Sequence, residues 1–129
     1  MPNSFKVQAE KFKANGLPKN YNVEIVLIDN NPIGFIGTTM ISNDTLYLTA
    51  LYILNEHQRK GYGGLVLNII QNRCIKCKIK KVILRVHKYA KWATNFYLAN
   101  GFKIIEKEKI NDLKIIDNTV AMSKTINIL

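Results

Sequence analysis

The segment from Thr45 to Leu54 constrains this chain more than any other. It reads Thr-Leu-Tyr-Leu-Thr-Ala-Leu-Tyr-Ile-Leu, β-rich and apolar on both faces, which suits a strand in the middle of a sheet rather than at its edge. It leads into a short basic turn, Gln58-Arg59-Lys60-Gly61-Tyr62-Gly63-Gly64, and then into an amphipathic stretch. There Leu65, Val66, Ile69, Ile70, Cys74 and Cys77 share one helical face, while Asn68, Gln71, Asn72, Lys76 and Lys78 share the other. The lysines near its end suit the negative pole of a helix dipole. A central strand that turns through glycines into a helix requires a sheet with a helix laid back on it.

The flanking segments supply the rest of that sheet. Asn22 to Ile28 and Ile33 to Ile41 read as strands joined by the turn Asp29-Asn30-Asn31, and Ser42-Asn43-Asp44 separates the second from the central strand. Three strands joined by tight turns predict an antiparallel meander, with Gly34 and Gly37 marking bulges or a close backbone approach. Ahead of it, Phe5, Val7, Ala9 and Phe12 predict one short helix over Ser4 to Asn15, capped by Asn3 or Ser4 and stopped at Gly16. Downstream come a strand at Lys81 to Val86, a helix at Lys91 to Asn100 closed by Gly101, and two strands at Phe102 to Lys107 and Thr119 to Ile126. The order α, β, β, β, α, β, α, β, β predicts an α+β (mixed α/β) fold, with a mostly antiparallel sheet of about six strands flanked by helices. A chain of 129 residues without repeats or low-complexity linkers is expected to be one domain, 1–129, with a helix and linker at 1–21 and a core at 22–126.

The net charge of +10 invites a nucleic-acid reading, but only Arg59, Arg73 and Arg85 among the nineteen basic residues are arginine. Sequence-specific readers lean on arginine forks and interleaved aromatics, so the composition weighs against nucleic acid and for a solvated surface that also favours a polyphosphate ligand. No apolar run approaches the ~20 residues of a membrane span, and the N-terminal segment has no apolar core of a secretory signal. No membrane partner is expected, and a reducing cytoplasm is the expected compartment for two cysteines that suggest no disulfide framework. Cys74-Ile75-Lys76-Cys77 falls within the helix with no second ligand pair, so two buried small side chains are expected there and no metal.

The glycine turn is the first candidate for chemistry. A helix N-terminus presents unpaired N–H groups and the positive end of the macrodipole, and glycines let a bulky anion approach the backbone. Neither the dinucleotide fingerprint nor the P-loop is present, and a plain strand-to-helix turn would need the same glycines. Gln58-Arg59-Lys60-Gly61-Tyr62-Gly63 resembles the Q/R-x-x-G-x-G/A signature of the GNAT acetyltransferases, between strand and helix as in that family. Ala93, Tyr97, Gly101 and Phe102 resemble its A-x-x-x-Y-x-x-x-G-F segment, and the likeness runs from about Asn22 to Ile126.

This resemblance implies a GNAT-like fold with a splayed centre and acetyl-CoA as co-substrate. The turn residues Gln58, Arg59, Lys60, Gly61, Tyr62, Gly63 and Gly64 would hold the CoA pyrophosphate. The main chain of Leu51, Tyr52 and Ile53 would pair with the pantetheine arm, beside Ala90 and Ala93 on the last helix. It also implies transfer of an acetyl group to an amine of a small molecule or peptide, with Tyr97 protonating the departing thiolate. Two departures leave open an acyl-CoA-binding module with weak or no turnover. Arg85 stands where one branch of the family has a glutamate base, and Ala90 where many members have an asparagine. Glu56, His57 and His87 are the nearest titratable alternatives to that base. The region before the meander is shorter than in the family, so the acceptor pocket is expected to be open or completed by a second protomer.

Overall fold

The computed structural model describes residues 4–9, 21–105 and 118–127. Seven strands form one sheet: β1 (Phe5–Ala9), β2 (Tyr21–Ile28), β3 (Asn31–Met40), β4 (Thr45–Ile53), β5 (Lys81–His87), β6 (Lys103–Ile104) and β7 (Thr119–Thr125). Their spatial order is β1-β2-β3-β4-β5-β7-β6. Every neighbouring pair is antiparallel except β4 and β5, which run parallel and are joined by the long helix α1 (Tyr62–Cys77). A second helix, α2 (Lys91–Ala99), follows β5.

The β1–β4 half is the expected meander extended by one strand. Asp29 and Asn30, with φ of 48° and 67°, make the left-handed two-residue hairpin turn that aspartate and asparagine tolerate. The extra strand corrects the helix predicted over Ser4 to Asn15: residues Phe5–Ala9 are extended and pair with β2 from Phe5↔Ile28 to Ala9↔Glu24. Phe5, Val7 and Ala9 recur with period two, which is strand spacing, and only the addition of Phe12 suggested a helical face. The remainder of that predicted helix lies outside the described residues.

Both helices cover one face of the sheet. Leu46, Leu48, Val82, Leu84, Val86 and Met122 pack there against Val66, Leu67, Ile70 and Cys74 of α1 and Ala93 and Tyr97 of α2, with Phe102 beside them. Toward β1, Phe5 stacks on Tyr62 with ring centroids 5.9 Å apart. Arg73 clamps the same edge, donating from Nη1 to both carboxylate oxygens of Glu24 at 2.7 Å and from Nη2 to the Val7 carbonyl at 3.0 Å. Of the two cysteines expected to be buried, Cys74 is, its thiol pushed up to about 11 by desolvation, whereas Cys77 closes α1 exposed.

Candidate functional site

The centre of the sheet opens where β4 and β5 part. Their parallel pairing runs only from Thr45↔Lys81 to Leu48↔Leu84, although β4 continues to Ile53 and β5 to His87. A bulge accounts for the parting. Opposite β3, Thr38 pairs with Leu48 and Gly37 with Ala50, so Thr49 is the extra residue, immediately after the last β5 pair. A bulge bends its strand and sharpens the local twist. Here it is pinned: the Thr49 hydroxyl is hydrogen-bonded to the Tyr21 hydroxyl. A Cβ on Gly37 would lie 2.5 Å from Thr49 Oγ1, so only glycine leaves room for that pair. Past the bulge, Leu51, Tyr52 and Ile53 stay paired with β3 on one edge and, among the described residues, have no strand partner on the other.

The chain then turns from the rim of this opening into α1. Asn55–His57 form a single 3-10 turn, and Gln58 Nε2 donates to the Ile53 carbonyl at 2.7 Å, latching the turn to the end of β4. Arg59 (φ 63°) and Gly61 (φ 85°) are left-handed, and Gly61 is the N-cap of α1 with no side-chain cap. The first helical bond is donated by Leu65 to the Gly61 carbonyl, so the N–H groups of Tyr62, Gly63 and Gly64 have no acceptor within the helix. The glycines have separate tasks. A Cβ at Gly61 would meet nothing within 4 Å, so Gly61 serves the left-handed backbone and leaves open space above it. A Cβ at Gly63 would lie 2.9 Å from Phe96 Cζ, so Gly63 serves the crossing of α1 and α2. A Cβ at Gly64 would lie 3.6 Å from Asn100 Oδ1, an ordinary contact that leaves room for a side chain. Arg59 and Lys60 are exposed at the rim, and the Tyr62 ring is turned to Phe5 and His57.

Ala90 is the N-cap of α2, its carbonyl accepting from Ala93 and Thr94, and Ala93 is buried one turn before Tyr97. Tyr97 is only 9% exposed, held edge-on between Phe96 and Phe102 at 5.1 and 5.5 Å. Burial pushes its phenol up to about 12. Among the described residues no buried side-chain nitrogen or oxygen lacks a hydrogen-bond partner.

The face away from the helices holds a polar group that sequence reasoning saw only in part. Arg85, half-buried on β5, donates from Nη1 to Thr119 Oγ1 at 3.3 Å, and its guanidinium is a neighbour of the Tyr47 phenol on β4. Burial raises the Tyr47 phenol, and the neighbouring guanidinium opposes that rise. The alternation of Tyr47 with the core residues Leu46 and Leu48, which are spaced by two, was the available signal. The titratable alternatives are scattered. His57 sits on the turn, 3.9 Å from Glu56, and His87 at the end of β5 accepts the Tyr89 N–H on Nδ1 at 3.2 Å. Among the described residues no cluster of His, Cys, Asp or Glu could hold a metal, and no helix is long and apolar enough to cross a membrane.

The acetyltransferase (GNAT) family model matches residues 4–102, from β1 to the end of α2. Among solved structures, the chain is similar to the PaiA N-acetyltransferase from Thermoplasma acidophilum in complex with coenzyme A (25% identity, TM-score 0.70, 82% of this chain and 61% of that one). Tetrahymena GCN5 superposes with TM-score 0.72 at 18% identity, over 85% of this chain and 71% of that one. A GNAT family acetyltransferase from Elizabethkingia anophelis with acetyl-CoA bound gives 0.75 at 14% identity, over 95% and 99%. The last two likenesses concern the fold. The chain spans less than two thirds of the Thermoplasma protein, and nearly all of the Elizabethkingia one.

Proposed function

The chain belongs to the GNAT acetyltransferase family, and from that premise we propose that it moves an acetyl group from acetyl-CoA directly to a primary amine of a small molecule or peptide. Acyl transfer using CoA comes with the family; the amine acceptor and the residue roles are our reading. The observation that carries it is the parting of β4 and β5 after Leu48 and Leu84, with the uncapped start of α1 at the same rim.

In this reading the N–H groups of Tyr62, Gly63 and Gly64 receive the pyrophosphate, helped by the α1 dipole and by Arg59 and Lys60. Gln58 acts through its bond to Ile53, holding the turn rather than touching the ligand. The unpaired edge of Leu51, Tyr52 and Ile53 takes the pantetheine arm as an extra strand, with Ala90 and Ala93 on its other flank. The amine nitrogen attacks the thioester carbonyl, and the tetrahedral oxyanion collapses with cleavage of the C–S bond. The thiolate takes the Tyr97 proton, the nitrogen loses its own to water, and water returns a proton to the Tyr97 phenolate. A phenol at about 12 remains protonated through the neutral range, so the donor is always loaded.

No carboxylate stands on β5 beside this opening, because Arg85 occupies that place. The arrangement therefore favours amines that reach the site already neutral. It also supports a second reading, an acyl-CoA-binding module with weak or no turnover. The same proposal places the protein in the cytoplasm and lets a second protomer complete the acceptor pocket. Release of free CoA thiol from acetyl-CoA across a panel of amines tests it. Amine-dependent release is expected; tight acetyl-CoA binding without any release selects the binding module, and no binding at all removes both.

A further inference from the structure

Trp92 is the only tryptophan of the chain, and it is 78% exposed. An indole carries a large apolar surface that normally finds a partner, so its position on α2 asks for one. Residues 92, 96 and 100 stand four apart and share a helix face. Two of the three are already placed against α1: Asn100 Oδ1 lies 3.6 Å from the Cβ position of Gly64, and Phe96 Cζ lies 2.9 Å from that of Gly63. Stepping from Asn100 to Phe96 therefore moves toward the start of α1. One further turn along α2, about 5.4 Å, continues past Gly63 toward the first residue of α1, where its unpaired N–H groups lie. Side chains on a helix lean toward its N-terminus, which carries the indole farther over that rim.

The topology agrees. Strands β4 and β5 are parallel, α1 follows one and α2 follows the other, so both helix N-termini lie at one end of the sheet. The neighbourhood is also cationic and aromatic. Lys91 precedes Trp92 and is exposed, and Lys88 Nζ lies 4.9 Å from the centroid of the Tyr89 ring, itself 73% exposed.

We propose that Trp92 is the stacking platform for the adenine base of CoA, with Lys88 and Lys91 supplying positive charge to the phosphate on its ribose. This rests on the CoA reading above: a pyrophosphate at the start of α1 leaves its nucleoside one ribose away, about the spacing of one helix turn. A flat π-face matched to a purine needs no hydrogen-bond readout, so the site recognises an adenine nucleotide by stacking and charge.

Because Trp92 is the sole indole, intrinsic fluorescence reports the contact directly. CoA and adenosine 3′,5′-bisphosphate are expected to quench it on binding, and 4′-phosphopantetheine, which lacks the nucleoside, is not. By calorimetry Trp92→Ala weakens CoA roughly ten-fold, as expected for one base–aromatic stack, and leaves 4′-phosphopantetheine unchanged; Trp92→Phe keeps most of the affinity. An unchanged melting temperature for Trp92→Ala confirms that the fold is intact. Equal CoA affinity in wild type and Trp92→Ala, or saturating CoA without quenching, overturns the platform and leaves the acetyltransferase reading standing. CoA bound by neither protein overturns both.

Discussion

Replacing Gly63 by alanine separates two reasons a glycine can stand in an anion-binding turn. If Gly63 is there to admit a phosphate, alanine lowers CoA affinity and leaves the free protein as stable as before. The geometry gives the other answer, since the new methyl would lie 2.9 Å from Phe96 Cζ and 3.2 Å from Cε1. Ordinary contact begins near 3.4 Å, so the ring or α2 must retreat by about half an ångström, and overpacking of this kind costs about 1–3 kcal/mol. The gain in helix propensity on going from glycine to alanine returns about 1 kcal/mol. A net loss of about 1 kcal/mol remains, roughly 4 °C in melting temperature for a domain of this size. Phe96→Leu removes the clashing ring edge. In the double variant the alanine should then be neutral or stabilising, a coupling of about 1–2 kcal/mol between the two sites. Thermal and denaturant unfolding of the four proteins measure it, with CoA affinity by calorimetry alongside. Strictly additive stabilities, with the loss appearing only in CoA binding, would refute the packing account.

Three further outcomes follow from the geometry. Tyr97→Phe keeps the ring between Phe96 and Phe102 but removes the proposed proton donor, so turnover should fall about 100-fold or more with CoA affinity nearly unchanged; equal turnover in a steady-state assay takes Tyr97 out of the mechanism. The same variant tests its buried phenol. Tyr97 is raised from 10.0 to about 12 in the folded protein, so its contribution is complete below pH 10 and is lost as pH rises toward 12. Over that window wild type should lose about 3 kcal/mol more stability than Tyr97→Phe, and parallel stability curves would contradict it. Arg73→Ala removes both the Glu24 pair and the bond to the Val7 carbonyl. Amides of Phe5–Ala9 should exchange faster than those of β2 and β3, with a global loss near 1 kcal/mol; uniform exchange along the sheet would show that Arg73 does not hold β1.

Most of this architecture was legible because its elements carry their own periodicity. The two-sided apolar pattern of Thr45 to Leu54 announced a central strand, and β4 does lie between β3 and β5. Gly37 signalled a bulge, and the shift is there. What stayed hidden depended on partners far away in sequence. Phe5, Val7 and Ala9 fit a strand, but five residues without a visible neighbour could not outweigh the helical placement of Phe12 until β2 was beside them. Cys77 shared the apolar stripe of α1, yet the last residue of a helix projects past the core it points toward. In the turn, sequence marked Gln58 and Gly63 for the ligand, but not that Gln58 also fastens the turn to β4 or that Gly63 also makes room for Phe96, features that only tertiary distances carry. Tyr47 was missed because the roles of Arg85, Thr119 and Tyr47 meet only across three strands.

The bulge at Thr49 has a consequence for the thermodynamics of ligand capture. The opening between β4 and β5 is written into covalent geometry and one pair of hydroxyls, not created by an incoming ligand. A ligand that meets the cleft in this form finds it open, and its intrinsic affinity is then not divided by the small population of a rare open state. Association should accordingly follow a single, concentration-linear phase, with steric access rather than rearrangement setting its speed. Tyr21→Phe, which unties the hydroxyl pair, would let the two strands explore pairing beyond Leu48 and Leu84, turning a rigid cleft into one that must wait for its guest.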